Sequence, residues 1–185
     1  LKGRVDAGNV VPDMLARGTA KHDFQQLKDE LARLKAEVQI EGAGLVPRPG
    51  QVAVHITTTR ENFAAVMALV AEMLREPTFP SDQFEILRGE YLTQLEGQLS
   101  DPQALALTAA LRKALPLPAD ALRYVPTVPE AIARVKALKL DDVKRFHADF
   151  YGDGPFRGEL ERMAADCEGV KFWGMLAYGP EFFGR

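Results

Sequence analysis

The sequence is poor in the residues that most often form disulfides and metal sites. Its 185 residues include one cysteine, Cys167, and three histidines. A single cysteine cannot form an intrachain disulfide or a Cys-x-x-Cys clamp, which excludes disulfide scaffolds and cysteine-rich zinc modules. We therefore expect Cys167 to act as a small, partly buried apolar residue.

Long apolar runs and a strong charge of one sign are also absent. The longest apolar stretch, residues 63–74, is interrupted by Glu72 and is far shorter than the roughly 20 residues that span a bilayer. The 23 basic and 26 acidic residues give a net charge of -3, without a polybasic run. The sequence therefore predicts a soluble domain with no membrane insertion and no nucleic-acid partner.

What is present is an ordinary globular composition. Apolar residues make up 46% of the chain and charged residues 26%, which permits a sizeable core and argues against wholesale disorder. A length of 185 residues predicts one domain. Leu1 stands where an initiator methionine would be, so we expect a cut or processed N-terminus, and localisation is not predicted.

Alternation and helical periodicity predict a small sheet among helices. Residues 37–41 and 51–58 alternate between apolar and polar side chains, which indicates an antiparallel pair of strands with one solvated face. His55 falls on the more polar face, where we expect it to be solvent-facing rather than a metal ligand. The predicted helices cover residues 24–34, 61–75, 81–99, a segment from 102, a short segment from the capping box at 127–130, and 141–151.

Side chains at the helix starts are expected to cap these helices. Thr19 or Asp23 can cap the helix that begins near residue 24, and Thr59 can cap the next one. Asp101 precedes a proline in the first turn of a later helix, an arrangement typical of a helix N-terminus.

A direct search for chemistry finds no catalytic constellation. His22, His55 and His147 lack the i, i+4 spacing of a zinc-binding helix, and the chain has no Gly-x-Ser-x-Gly elbow, P-loop or Gly-x-Gly-x-x-Gly cradle. The remaining enzymatic hypothesis is a carboxylate-dependent hydrolase that uses carboxylates of one helix, Glu85, Glu90 and Glu96. It requires a cleft in which two of them have raised pKa values, whereas solvated side chains would dismiss it.

Several short strings follow one another in an order that resembles a known family. They include Met-Leu-Ala-Arg-Gly-Thr at 14–19 and Glu-Pro-Thr-Phe-Pro at 76–80, and the others lie at residues 24–31, 36–38, 101–102, 123–126 and 140–152. In this order they resemble the insulinase/pitrilysin family of zinc metallopeptidases, which includes mitochondrial processing peptidase and related bacterial enzymes.

The resemblance implies an α/β (α+β) fold with a largely antiparallel sheet covered on one face by several helices. Residues 1–152 would be a peptidase half-domain, and residues 153–185 an unmatched tail of the same domain. Since only two or three strands are predicted from the residues themselves, the missing strands would lie before residue 1 or in the tail. A bacterial source would leave the cytoplasm and the periplasm open as compartments.

The zinc motif of active family members is degenerate in this chain. In those members a His-x-x-Glu-His motif comes shortly before the Gly-Thr string, which is found here at residues 18–19. Alignment on that string places Asn9 and Asp13 at the two histidine positions and Pro12 at the position of the general-base glutamate. A neutral amide oxygen is a poor zinc ligand beside imidazole, and proline has no group that could accept a proton.

The third zinc ligand of the family is a glutamate on a later helix. Its counterpart here is Gln94, with Glu90 one turn earlier as the fallback. The resemblance therefore implies that this chain has no catalytic residue, no metal and no cofactor of its own. The arginine-tyrosine pair that family members use to hold substrate is not found; we expect Arg123 and Tyr124 to anchor a loop, and the substrate-binding residues stay unassigned.

The resemblance also implies a function. The chain would be the inactive domain of a zinc metalloendopeptidase, completing the substrate chamber and supporting the binding of a peptide substrate. Its partner would be a homologous catalytic domain or subunit, which would hold the zinc. The alternative is a structural subunit, similar to the core proteins of respiratory complexes, without a proteolytic role.

Overall fold

The structure is a computed structural model that describes residues 5–41, 53–119, 121 and 123–149. Within these ranges helices dominate, and two strands form the sheet. The elements are α1 (Val5–Leu15), α2 (Phe24–Arg33), β1 (Glu37–Glu41), β2 (Ala53–Thr57), α3 (Phe63–Arg75), α4 (Ser81–Gln98), α5 (Pro102–Ala114), α6 (Val128–Ala137) and α7 (Leu140–His147).

The predicted antiparallel strand pair is confirmed. Val38 of β1 lies opposite Ile56 of β2, and Ile40 lies opposite Val54. These four side chains belong to the core or pack against it, while His55 between them is exposed, as predicted. Alternation along the strands has therefore set which face of the sheet is buried.

The predicted fold class is correct only in part. The described residues form an α+β arrangement that is mostly helical with a two-stranded antiparallel sheet, instead of a largely antiparallel sheet covered on one face by helices. The additional strands were expected before residue 1 or in the tail at 153–185, and both places lie outside the described residues. So does the division between a domain at 1–152 and that tail.

Helix α1 lies at the centre of the core. Its buried residues are Ala7, Val10, Val11, Pro12, Met14 and Leu15. The helix packs against α7, β1 and α4, and Gly8 allows the close approach of α7, because a Cβ atom there would lie 2.7 Å from Cζ of Phe146. Each fully buried Val, Leu or Met side chain contributes about 1.5–3 kcal/mol to folding, so α1 supplies a large share of the stability.

Most of the predicted caps are present. The Asp23 side chain accepts a hydrogen bond from the backbone N–H of Gln26 in a capping box, Thr127 forms a second capping box with Glu130, and Asp101 caps α5. Each such cap satisfies a backbone donor that the first helical turn leaves unpaired.

The predicted cap of α3 by Thr59 is wrong. The helix begins at Phe63, and its N-cap residue is Asn62, which makes no side-chain capping bond. The Asn62 amide instead donates to the Leu34 carbonyl, so it ties α3 to the end of α2. The Thr59 hydroxyl is buried and has no hydrogen-bond partner among the described residues.

The last predicted helix is present. It was expected to run to about residue 151; α7 ends at His147, a π-helical turn follows at residues 148–149, and residues 150–151 lie outside the described residues. Nε2 of His147 is 2.8 Å from the Leu74 carbonyl oxygen, and the imidazole packs edge-on against Phe79. These contacts hold the end of α7 against the last turn of α3 and against the turn between α3 and α4. In the described part of the chain, no helix is both long and apolar enough to cross a membrane.

Candidate functional site

Most of the positions that the resemblance aligns with the zinc motif line one pocket. The C-terminal half of α1, the middle of α4 and strand β1 surround a cavity of about 560 Å³. Its lining residues are Pro12, Asp13, Ala16, Arg17, Phe24, Val38, Gln39, Ile40, Leu87, Glu90, Tyr91 and Gln94. Three of the four predicted motif positions, Pro12, Asp13 and Gln94, are among them, together with the fallback Glu90.

Helical spacing explains why these residues meet. Residues four apart lie on the same face of a helix, so Glu90 and Gln94 of α4 both face the pocket. Asn9 precedes Asp13 by one turn of α1 and is exposed, but it is not among the described residues that line the cavity. Pro12 has no backbone N–H to donate to the Gly8 carbonyl one turn earlier, although it lies inside α1.

Two polar links join α1 and the residues that follow it to α4. The Tyr91 hydroxyl donates a hydrogen bond to the Asp13 carboxylate. Arg17 donates to Oε2 of Glu90 over 2.8 Å and to Oε1 of Gln83 over 3.4 Å. Burial and the hydrogen bond to Asp13 raise the pKa of the Tyr91 phenol well above its ordinary value, so the hydroxyl stays protonated and remains a donor.

One wall of the pocket is apolar. Val38 and Ile40 of β1 and Leu87 of α4 line it together with Phe24. The guanidinium of Arg17 lies over the Phe24 ring, 5.1 Å from its centroid, where a cation-π contact adds to the ion pair. The pocket therefore combines an apolar wall with a polar wall of carboxylates and amides.

The donor set of this pocket does not fit a zinc ion. Its described lining residues include no histidine and no cysteine, whereas protein zinc sites rely on these two ligands together with carboxylates. The Asp13 carboxylate accepts from Tyr91, the Glu90 carboxylate is paired with Arg17, and Gln94 offers only a neutral amide. Over the described ranges, no group of three or more His, Cys, Asp or Glu side chains is arranged to hold a metal.

The histidines found by the sequence search do not form a site. Nδ1 of His22 lies 2.8 Å from Oε1 of Glu72, to which the Thr19 hydroxyl also donates. Burial alone would raise the pKa of the Glu72 carboxyl, but the hydrogen bonds from Thr19 and His22 lower it below its ordinary value. His147 is bonded to a backbone carbonyl, and burial lowers the pKa of its imidazole.

The structure argues against a carboxylate-dependent hydrolase. Glu85, Glu90 and Glu96 are all exposed. Glu85 is paired with Arg88 and Glu90 with Arg17. Solvated side chains were the condition that would dismiss this hypothesis, and all three carboxylates are exposed.

Tyr124 has the anchoring role that we predicted for it. Arg112 donates to its hydroxyl over 2.9 Å, and the hydroxyl in turn donates to the Glu130 carboxylate, at 3.0 Å from Oε2. The guanidinium groups of Arg112 and Arg134 both contact the ring, with Cζ atoms 5.1 and 5.3 Å from its centroid. These contacts hold the connection between α5 and α6 in place.

Sequence reasoning missed Arg17 and Tyr91, the two residues that link the pocket walls. For each residue, its position in the sequence was a weak indication of its role. Arg17 is part of the string at 14–19, and Tyr91 lies between the two α4 positions that the motif singled out. Neither side chain is a zinc ligand, so a search for metal-binding patterns does not select them. Cys167 lies outside the described residues.

Comparison with solved structures shows which fold the chain has. Neither a protein-family model nor a curated protein sequence matches the chain. Among solved structures, the chain is similar to the crystal structure of a peptidase M16 inactive domain from Pseudomonas fluorescens, with a TM-score of 0.64 and 22% identity. The match covers 86% of this chain but 39% of that one, so this chain spans about two-fifths of the length of the solved structure.

The likeness concerns the fold. It agrees with the order of helices and strands, with the α+β class, and with the resemblance to a non-catalytic metallopeptidase domain that the sequence strings indicated. The chain therefore has the fold of a peptidase M16 inactive domain.

Proposed function

We propose that this chain is a non-catalytic domain of a zinc-peptidase-like protein and that it handles peptides together with a homologous catalytic domain or subunit. One observation carries the proposal. The pocket at the position of the degenerate motif is held by the Asp13–Tyr91 and Arg17–Glu90 links instead of by metal ligands. The likeness to an inactive M16 domain supports it.

Peptide hydrolysis in the family depends on a metal-activated water and a base that takes its proton. At the position of that base this chain has Pro12, which cannot accept a proton, and both carboxylates of the pocket are already engaged. The chain can therefore contribute binding surface and not the chemical step. Zinc would be held by the partner.

The geometry suits a wall of a substrate chamber. The Asp13–Tyr91 link joins α1 to α4, the Arg17–Glu90 link joins the residues after α1 to α4, and Val38 and Ile40 of β1 add apolar lining. A rigid wall with one apolar and one polar side can contact both the side chains and the amide groups of a peptide. We propose that this wall completes the chamber of the catalytic partner.

The proposal is tested by comparing the isolated chain with the chain plus its partner. The partner is the His-x-x-Glu-His domain encoded in the same or a neighbouring gene. For the isolated chain, we expect elemental analysis to show no stoichiometric zinc and quenched-fluorescence peptides to show no hydrolysis. With the partner we expect a stable complex and a lower KM for peptide hydrolysis.

Two outcomes would contradict this function. Stoichiometric zinc together with turnover by the isolated chain would show that it is itself an enzyme. A complex that forms without any change in peptide hydrolysis would favour the alternative of a purely structural subunit. A variant of the partner that lacks its motif glutamate is the control for the origin of the activity.

A further inference from the structure

We propose that Glu72 of α3 is a positioning residue for the pocket: it holds the connection between α1 and α2 against α3 and thereby keeps Arg17 in its pair with Glu90. The inference rests on the proposed function, because this pocket is the wall that we assign to the substrate chamber. Glu72 itself lies outside the described lining of the pocket. Three sets of contacts support its role: those of its carboxylate, those of the backbone of the connection, and those of Arg17.

The Glu72 carboxylate is buried and is bound by side chains of the connection. Its side chain is 10% exposed. Oε1 accepts a hydrogen bond from the Thr19 hydroxyl and lies 2.8 Å from Nδ1 of His22. Burial opposes ionisation, but these hydrogen bonds outweigh it and lower the pKa of the carboxyl. Because an ionised carboxylate can only accept, Nδ1 of His22 is the donor. A buried carboxylate is costly to leave unpaired, so this anchor holds the connection firmly.

The Thr19 hydroxyl also shapes the connection itself. Its oxygen accepts from the backbone N–H groups of His22, over 2.9 Å, and Lys21, over 3.3 Å. The backbone N–H of Thr19 donates in turn to the His22 carbonyl over 2.8 Å. Since the hydroxyl gives its hydrogen to Glu72, its lone pairs are free to accept from the turn. One side chain therefore both closes the turn and joins it to α3.

Backbone hydrogen bonds hold the same connection against the chain that leads into α4. The N–H of Thr78 donates to the Gly18 carbonyl over 3.1 Å, and the N–H of Ala20 donates to the Glu76 carbonyl over 2.9 Å. The helix α4 begins three residues after Thr78. The start of the connection is therefore fixed relative to α4 as well as to α3.

Arg17 is the residue directly before this fixed segment. Its guanidinium donates to Gln83 and Glu90, both of them on α4, and its side chain is 16% exposed. A long side chain loses much conformational freedom when it is held in one geometry. The pair therefore forms readily only where the backbone of Arg17 is already held at the right distance from α4. The contacts of Glu72 help to set that distance.

The test follows the guanidinium of Arg17 by ¹⁵N–¹H NMR of the full chain, with Arg17→Lys to assign its signals. Glu72→Gln should speed the exchange of these N–H protons with water about fivefold, as expected for the loss of one hydrogen bond. Thr19→Val, which removes the hydroxyl, should do the same, whereas Thr19→Ser, which keeps it, should not. The guanidinium of Arg33, which is paired with Glu30, is the internal reference.

Two control variants separate positioning from a general loss of stability. Glu76→Gln is the matched control, because the Glu76 side chain is 48% exposed and the residue bonds Ala20 through its backbone. Val66→Ala removes a buried side chain of α3, which destabilises the domain but leaves all of these hydrogen bonds in place. At a temperature at which circular dichroism shows every variant folded, neither control should speed exchange at Arg17.

A second readout uses the catalytic partner. With the partner present, Glu72→Gln should raise the KM for peptide hydrolysis several-fold and leave kcat unchanged, the pattern of lost substrate binding. Unchanged kcat is expected because Glu72 takes no part in the partner's chemical step.

Equal exchange at Arg17 in Glu72→Gln and in the parent chain would overturn this inference and leave the proposed function standing. Two further results would also overturn it: exchange that is as fast in Val66→Ala or Glu76→Gln as in Glu72→Gln, and an unchanged KM despite faster exchange at Arg17. A parent chain that leaves the partner's peptide hydrolysis unchanged would instead count against the proposed function.

Discussion

Helices α1 and α5 are similar in length and in apolar content but differ completely in burial. Of the 11 residues of α1, six are buried. None of the 13 residues of α5, all of them in the described part of the chain, is buried. Leu105 and Leu107 of α5 are 41% and 47% exposed, whereas Leu15 of α1 is fully enclosed. The apolar content of a helix shows that the helix could be buried, and the elements packed around it decide whether it is buried.

The neighbours of the two helices explain the difference. Helix α1 packs against α7, β1 and α4, while α5 has few contacts with α4. Leu105 and Leu107 are two residues apart, and therefore they lie on nearly opposite sides of a helix with 3.6 residues per turn. A single neighbour could not cover both. The stability of the domain should thus depend on α1 far more than on α5.

The largest expected effect comes from matched leucine substitutions in the two helices. Leu15→Ala removes a fully buried side chain and should lower the free energy of unfolding by about 3 kcal/mol. Leu105→Ala should change it by less than about 0.5 kcal/mol, since that side chain is already largely in water. Urea unfolding followed by circular dichroism measures both. Equal losses would mean that α5 contributes to the core as much as α1 does.

Glycine substitutions should change stability in opposite directions. A Cβ atom at Gly8 of α1 would lie 2.7 Å from Cζ of Phe146, whereas a Cβ at Gly89 of α4 meets no atom within 4 Å. Gly8→Ala should therefore cost about 1–2 kcal/mol, because the Phe146 ring must move. Gly89→Ala should stabilise by about 0.5–1 kcal/mol through helix propensity. Thermal unfolding gives the sign of each change, and Phe146→Leu should partly rescue Gly8→Ala.

Loss of the cap of α2 should destabilise the whole domain, whereas loss of the cap of α5 should destabilise only that helix. Asp23 caps α2, whose Leu27 belongs to the core, and Asp101 caps α5. Asp23→Ala should cost about 1 kcal/mol of global stability. Asp101→Ala should instead increase amide hydrogen exchange within α5 and leave the urea midpoint nearly unchanged. A large shift of the midpoint by Asp101→Ala would contradict the loose attachment of α5.

The smallest expected effect is a dependence of the free energy of unfolding on pH, caused by His147 at the end of α7. Burial lowers the pKa of His147 below its ordinary value of 6.5, so below about pH 6.5 the unfolded chain binds a proton that the folded state resists. Stability should therefore fall as the pH decreases from 8 to 5.5, a range above that in which Glu72, whose pKa is lowered, is protonated. Urea unfolding of His147→Gln should show a shallower fall. An unchanged slope would contradict the prediction.

Elements with a strong local signal could be predicted from the sequence, and elements held by distant contacts could not. Helix α2 was predicted from its apolar spacing and from Asp23, and both signals act within a few residues. Helix α1 was not predicted, because Pro12 lies inside it and part of its cover comes from α7, which begins 125 positions after α1 ends. Thr59 was chosen as a cap by residue type alone, and the contact of Asn62 with Leu34 decided otherwise.

The candidate site also has residues that the sequence could select and contacts that only the structure shows. The resemblance to a peptidase family aligned Asn9, Pro12, Asp13 and Gln94 with the zinc motif, and the last three of these residues line one pocket. The Arg17–Glu90 and Tyr91–Asp13 links join residues 73 and 78 positions apart. Such pairs have no sequence spacing that a motif could encode.

By itself, the sequence determined the helix and strand periods, most of the caps and the absence of a His-x-x-Glu-His string, because these depend on residue type and short spacing. Only the tertiary structure decided that α1 is enclosed while α5 is exposed and that Pro12, Asp13 and Gln94 share a pocket with Arg17 and Tyr91. Burial and long-range pairing depend on which elements come into contact, and that is a property of the packed chain as a whole.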